Sequence, residues 1–91
     1  MTIPETDYAT INRALIEIDR IYEIGATFGE AIEQKVRFIC EDACQRPEFW
    51  EGGFNMDAGL AAVMAHLKTH YPWLSERAMW IVRHNCFMEN K

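Results

Sequence analysis

Apolar residues recur at intervals of three and four along four successive stretches of this chain, and strong chain breakers, Gly25, Pro47, Gly52-Gly53 and Pro72, fall between those stretches. That period belongs to the α-helix, in which positions three or four apart share a face, and not to the strand, whose faces alternate at every residue. With three prolines and five glycines in 91 residues, long regular elements are expected rather than the frequent turns of a β-sandwich. The chain therefore reads as a single all-α domain over 1–91, a compact bundle of four long helices plus one short helical turn.

The first stretch has Thr6 or Asp7 as its cap and Tyr8, Ile11, Leu15, Ile18 and Tyr22 as its stripe, with Gly25 placed to end it. Ile16, Ile21 and Ile24 lie off that stripe, so this helix should be embedded on more than one side. Thr27 followed by Glu30 matches a capping box, which predicts a second helix from near Phe28 with Phe28, Ile32, Val36, Ile39 and Ala43 facing the core. It should stop before Arg46-Pro47, because the residue preceding proline disfavours helical geometry. Pro47 to Glu51 predicts a single short turn closed by Gly52-Gly53, with Phe49, Trp50 and Phe54 pinning the connection to the core.

Asn55 or Asp57 then caps a third long helix with Leu60, Val63, Met64, Leu67 and Tyr71 inward, and Gly59, Ala61, Ala62 and Ala65 let a neighbour approach closely. Pro72 stops it. Ser75 caps the last helix, from about Glu76 to Met88, with Leu74, Ala78, Ile81, Val82 and Asn85 as its inner face.

Charge narrows the class of partner. A net charge of −5, from 14 acidic and 9 basic residues, opposes binding to a polyanion, so nucleic acid is not expected. The acids are dispersed, which argues against mimicry of nucleic acid. No apolar run approaches the roughly 20 residues of a membrane span, and Met1 to Thr10 lacks the pattern of an export signal, so a cytoplasmic protein without membrane contact is expected. Cys40, Cys44 and Cys86 are an odd number of thiols, and in a reducing compartment they should be free.

The sharpest chemical pattern is Cys40-x3-Cys44 followed by His66-x3-His70. Each pair is spaced by one helical turn and the four side chains are zinc-ligand types, which makes a zinc-stabilised helical domain the alternative reading. The plainer reading is two small buried thiols and two half-exposed histidines. His84 and Cys86 point about 160° apart on one helix and cannot form a nucleophilic dyad with each other. The carboxylate pairs Glu30 with Glu33, Glu41 with Asp42 and Glu48 with Glu51 fit solvated helix faces and first-turn acids better than acid-base chemistry. Gly25 to Gly29 lacks the lysine and the preceding strand of a phosphate cradle. Neither a catalytic set nor a cofactor is expected.

What remains is a second apolar stripe on the last helix. Trp73, Trp80 and Phe87 recur at seven-residue spacing, with Arg77, His84 and Lys91 on or beside the same line, giving an aromatic ridge flanked by cations. These residue types are enriched at the energetic centres of protein interfaces. The plainer reading is a central last helix, with the first helix covering one face and the Phe49-Trp50-Phe54 loop the other. The expectation is a small non-enzymatic protein that binds another protein, with Trp73, Arg77, Trp80, His84 and Phe87 as its contact set. Small inhibitors, immunity proteins and phage-encoded anti-defence proteins such as anti-CRISPR proteins share this size and build, and a two-fold homodimer through the same ridge is a variant.

Overall fold

The computed structural model describes residues 2–18, 20–44 and 56–89, without the side chains of Met56 and Glu89. The described α-helices are α1 (Tyr8–Glu17), α2 (Ile24–Phe28), α3 (Glu30–Cys44), α4 (Met56–His70) and α5 (Glu76–Glu89), with 3-10 turns at Glu5–Asp7 and Ile21–Glu23. The all-α expectation holds, and the radius of gyration of 12.8 Å matches the roughly 12 Å of a folded chain of this length. The turn over 47–53, with Phe49, Trp50 and Phe54, lies outside the described residues.

α5 is the hub, packed against α1, α3 and α4. Its inner positions Ala78, Val82 and Cys86 are wholly shielded, and two of the three are small, which allows neighbouring backbones to come close. Ile11 and Leu15 from α1, Val36 and Ile39 from α3, and Val63 and Leu67 from α4 close around it. Each such aliphatic side chain contributes about 1.5 to 3 kcal/mol by leaving water. Ser75 caps α5, its Oγ accepting the Ala78 N–H at 3.1 Å.

Four expectations need correction. First, α1 does not run to Gly25: it ends at Glu17, and Ile18 is extended at φ −110°, ψ 120°. An unbroken helix would bury one stripe only, whereas the turn lets Ile24 enter the core and swings Tyr22 out to 61% exposure. Second, Thr27 caps nothing, because it lies inside α2. The chain breaks instead at Gly29, whose φ of 97° suits glycine, and Glu33 reaches back so that its Oε1 accepts the Gly25 N–H at 3.0 Å. Third, the inner face of α5 is turned slightly: Met79 and Cys86 are buried, while Ile81 and Asn85 are half-buried.

Fourth, the thiols are not all free. Cys44, the last residue of α3, and Cys86, in the last turn of α5, form a disulfide with Cα atoms 4.9 Å apart, across a sequence separation of 42. Closing a loop of that length stabilises a fold by about 4 kcal/mol on the chain-entropy account. Such a bond persists in an oxidising environment, so the expectation of three free thiols in a reducing compartment is not met. No helix among the described residues is long and apolar enough to cross a membrane.

Candidate partner-binding surface

α5 turns its inner face to three helices, and Trp80 projects from the other side with 49% of its surface exposed. The Arg83 guanidinium lies over the Trp80 ring, 4.5 Å from the centroid, within cation–π range. Beside Trp80 runs a groove of about 420 Å³ between the end of α1 and α5. Leu15, Ile16 and Ile18 line it from the α1 side, and Trp80 and Ile81 from α5, with Arg77 and His84 along it. Ile16 is 38% exposed, next to the half-exposed Trp80 on the same groove.

Among the described residues, some basic side chains are ion-paired and others, Arg20 and Lys68 among them, are not. Arg13 pairs with Glu17 at 3.5 Å, Arg37 with Glu33 at 3.1 Å, and Lys35 with Asp7. Among the described residues, neither Arg77 nor Arg83 has a carboxylate within ion-pairing distance.

The structure brings Arg77, Trp80 and His84 together and places the other two ridge residues in packing. Trp73 precedes the first turn of α5, so the helical azimuth that aligned it with Trp80 does not apply. Its ring stacks flat on Tyr8, with centroids 4.0 Å apart, and meets Tyr71 edge-on at 6.1 Å. Asn12 fixes the same turn: its Nδ2 donates to the Trp73 carbonyl at 3.1 Å and its Oδ1 accepts the Ser75 N–H at 2.9 Å. Phe87 is half-buried against the core, 6.5 Å from the His84 ring. Ile16 and Ile18, absent from the sequence-based contact set, are the additions, and only the crossing of α1 against α5 identifies them.

The residues of the zinc alternative are used otherwise. Cys44 is bonded to Cys86, and Cys40 is buried with its Sγ 3.8 Å from the Asn85 amide nitrogen. His66 is buried, its Nε2 2.7 Å from Asp42 Oδ2, and the Tyr71 hydroxyl donates to the same oxygen at 2.8 Å. His70 is exposed and lies against the His66 ring at 4.3 Å. Among the described residues, no group of three or more His, Cys, Asp or Glu could hold a metal ion.

The Asp42, His66 and Tyr71 network was not visible in the sequence, where Asp42 reads as a solvated acid. It borders a second cavity of about 350 Å³, which Tyr8, Phe38 and Trp73 also line. Two polar side chains converging on one partly buried carboxylate oxygen replace water there, the usual role of such a network between packed helices.

The Glu33 pKa is lowered by the Gly25 N–H and then by Arg37, the opposite of what a general acid at neutral pH requires. Cys86 is fully buried and oxidised, so it offers no thiolate. No family model matches the chain, and no curated protein or solved structure matches it.

Proposed function

We propose that this chain acts without catalysis, by binding another protein through the groove between α1 and α5. The observation that carries this reading is Trp80, a large indole held half in solvent beside the exposed Ile16. A folded domain of this size has reason to bury both, and a contiguous apolar strip rimmed by cations is the composition of an interface centre. Arg83 stacked on the indole holds it in one orientation, which lowers the entropy lost on association. The contact set becomes Ile16, Ile18, Arg77, Trp80 and His84, with Trp73 and Phe87 supporting from within. By size and build the reading falls among small inhibitors, immunity proteins and anti-defence proteins of the anti-CRISPR type, a likeness of class and not of motif.

Affinity capture from native host cells, with wild type compared to Trp80→Ala and Ile16→Asp, tests it. A host protein retained by the wild type, lost with both variants and rebound after separate purification is the expected outcome. Capture that is identical with all three baits contradicts the reading, and concentration-dependent sedimentation without any other protein would reassign the groove to a homodimer.

A further inference from the structure

We infer that the groove's occupant is an acidic protein segment that sets an aliphatic or aromatic side chain between Ile16 and Trp80 and its carboxylates against Arg77 and Arg83. The inference rests on the partner-binding reading and specifies the chemistry of the partner. Its basis is the charge at the groove. Arg77 lines the groove and Arg83 lies over the Trp80 ring at its edge, and among the described residues neither has a carboxylate partner, as is also true of Arg20 and Lys68. One guanidinium on the groove wall and one over the indole are placed to meet carboxylates from outside. Arginine meets carboxylates with two parallel hydrogen bonds, which adds direction as well as attraction.

The groove's walls select among anions. Leu15, Ile16, Ile18 and Ile81 give it an aliphatic lining, which gains nothing from a sugar-phosphate backbone and gains from an inserted apolar side chain. A volume of about 420 Å³ is in the range of sites that take one compact group. Nucleic acid would need a longer run of cations than Arg77, Arg83 and His84 supply on an acidic body. A helix carrying apolar residues on one face and acids on its flanks meets both requirements.

The test uses the full chain with its disulfide intact and three synthetic helical peptides with the same leucine face, carrying Glu, Gln or Lys at every other position, plus a short DNA duplex. Backbone amide shifts at Ile16, Ile18 and Trp80 report where each probe binds. The expected result is that the Glu peptide shifts these residues, binds about tenfold or more tightly than the Lys peptide, and weakens as salt is raised. The double variant Arg77→Glu/Arg83→Glu, checked for unchanged helical content, should reverse the preference in favour of the Lys peptide. Equal binding of Glu and Gln peptides in the groove would overturn the acidic occupant while leaving the partner-binding groove standing. Failure of every peptide to shift these residues, or preferential binding of the duplex, overturns the inference. Capture from host cells that is also insensitive to Trp80→Ala would remove the partner-binding reading with it.

Discussion

Trp73 and Trp80 are the same residue seven positions apart, and the fold uses them in opposite ways. Trp73 is stacked on Tyr8, and its backbone is held by Asn12, so its ring is part of what fixes the entry to α5. Trp80 sits one turn into a formed helix, on the side away from α3 and α4, and its ring is covered only in part by Arg83. Aromatic area on a helix is therefore not by itself a binding surface. What matters is whether the chain supplies a covering partner, and it does so at the beginning of α5 but not at its middle.

The comparison can be broken first at the far end of α5, where the Cys44–Cys86 bridge ties it to α3. Replacing both cysteines with alanine should lower unfolding stability by about 4 kcal/mol in denaturant titrations. Addition of reductant should reproduce the loss in the wild type and leave the variant unchanged. If thiol labelling of the native protein finds three reactive cysteines after unfolding without reductant, the bridge is absent and this part of the account is wrong.

Next in size is Trp73→Ala, which removes the stacked ring and part of the packing under the turn. A cost of about 3 kcal/mol, roughly 12 to 24 °C in melting temperature, is expected by calorimetry. A melting point within a few degrees of wild type would make Trp73 a surface residue like Trp80. Asn12→Ala, which leaves the Ser75 N–H without its acceptor, should cost about 1 to 2 kcal/mol by the same measurement. No loss would mean that Asn12 does not hold the turn.

The smallest effect concerns Glu33, which bonds to Gly25 and Arg37 and to neither tryptophan, and serves as a control. Because its folded pKa is lowered, its contribution is fully present above the unfolded value of about 4.3 and is lost as pH falls through the folded value. Glu33→Gln should therefore melt slightly below wild type at neutral pH, and the two curves should converge on acidification below pH of about 4. Divergence on acidification would contradict the assignment.

Much of the architecture was legible because local pattern and tertiary packing agree. In α3, Ile32, Val36, Ile39 and Ala43 repeat at helical spacing and are buried, and in α4 Leu60, Val63 and Leu67 do the same. Ser75 caps α5 as its residue type suggests. The break at Ile18 was not legible, since nothing at 18–20 is a helix breaker and the kink exists to bury Ile24.

Long-range pairings carry no local signal either. Cys44 and Cys86 are 42 positions apart, and Asp42 meets residues 24 and 29 positions away in His66 and Tyr71. The candidate site was half legible for the same reason. Arg77, Trp80 and His84 share a face of one helix, which spacing reveals, but Ile16 and Ile18 join them only because α1 crosses α5 there.

The central claim is that Trp80 is spare for the fold and needed for a partner. It is tested most directly by measuring, on one preparation each of wild type and Trp80→Ala, both the melting temperature and the affinity for the purified captured protein. The account predicts stability within about 0.5 kcal/mol of wild type together with an affinity reduced about tenfold or more. Unchanged affinity, or a melting temperature that falls as far as that of Trp73→Ala, would contradict it.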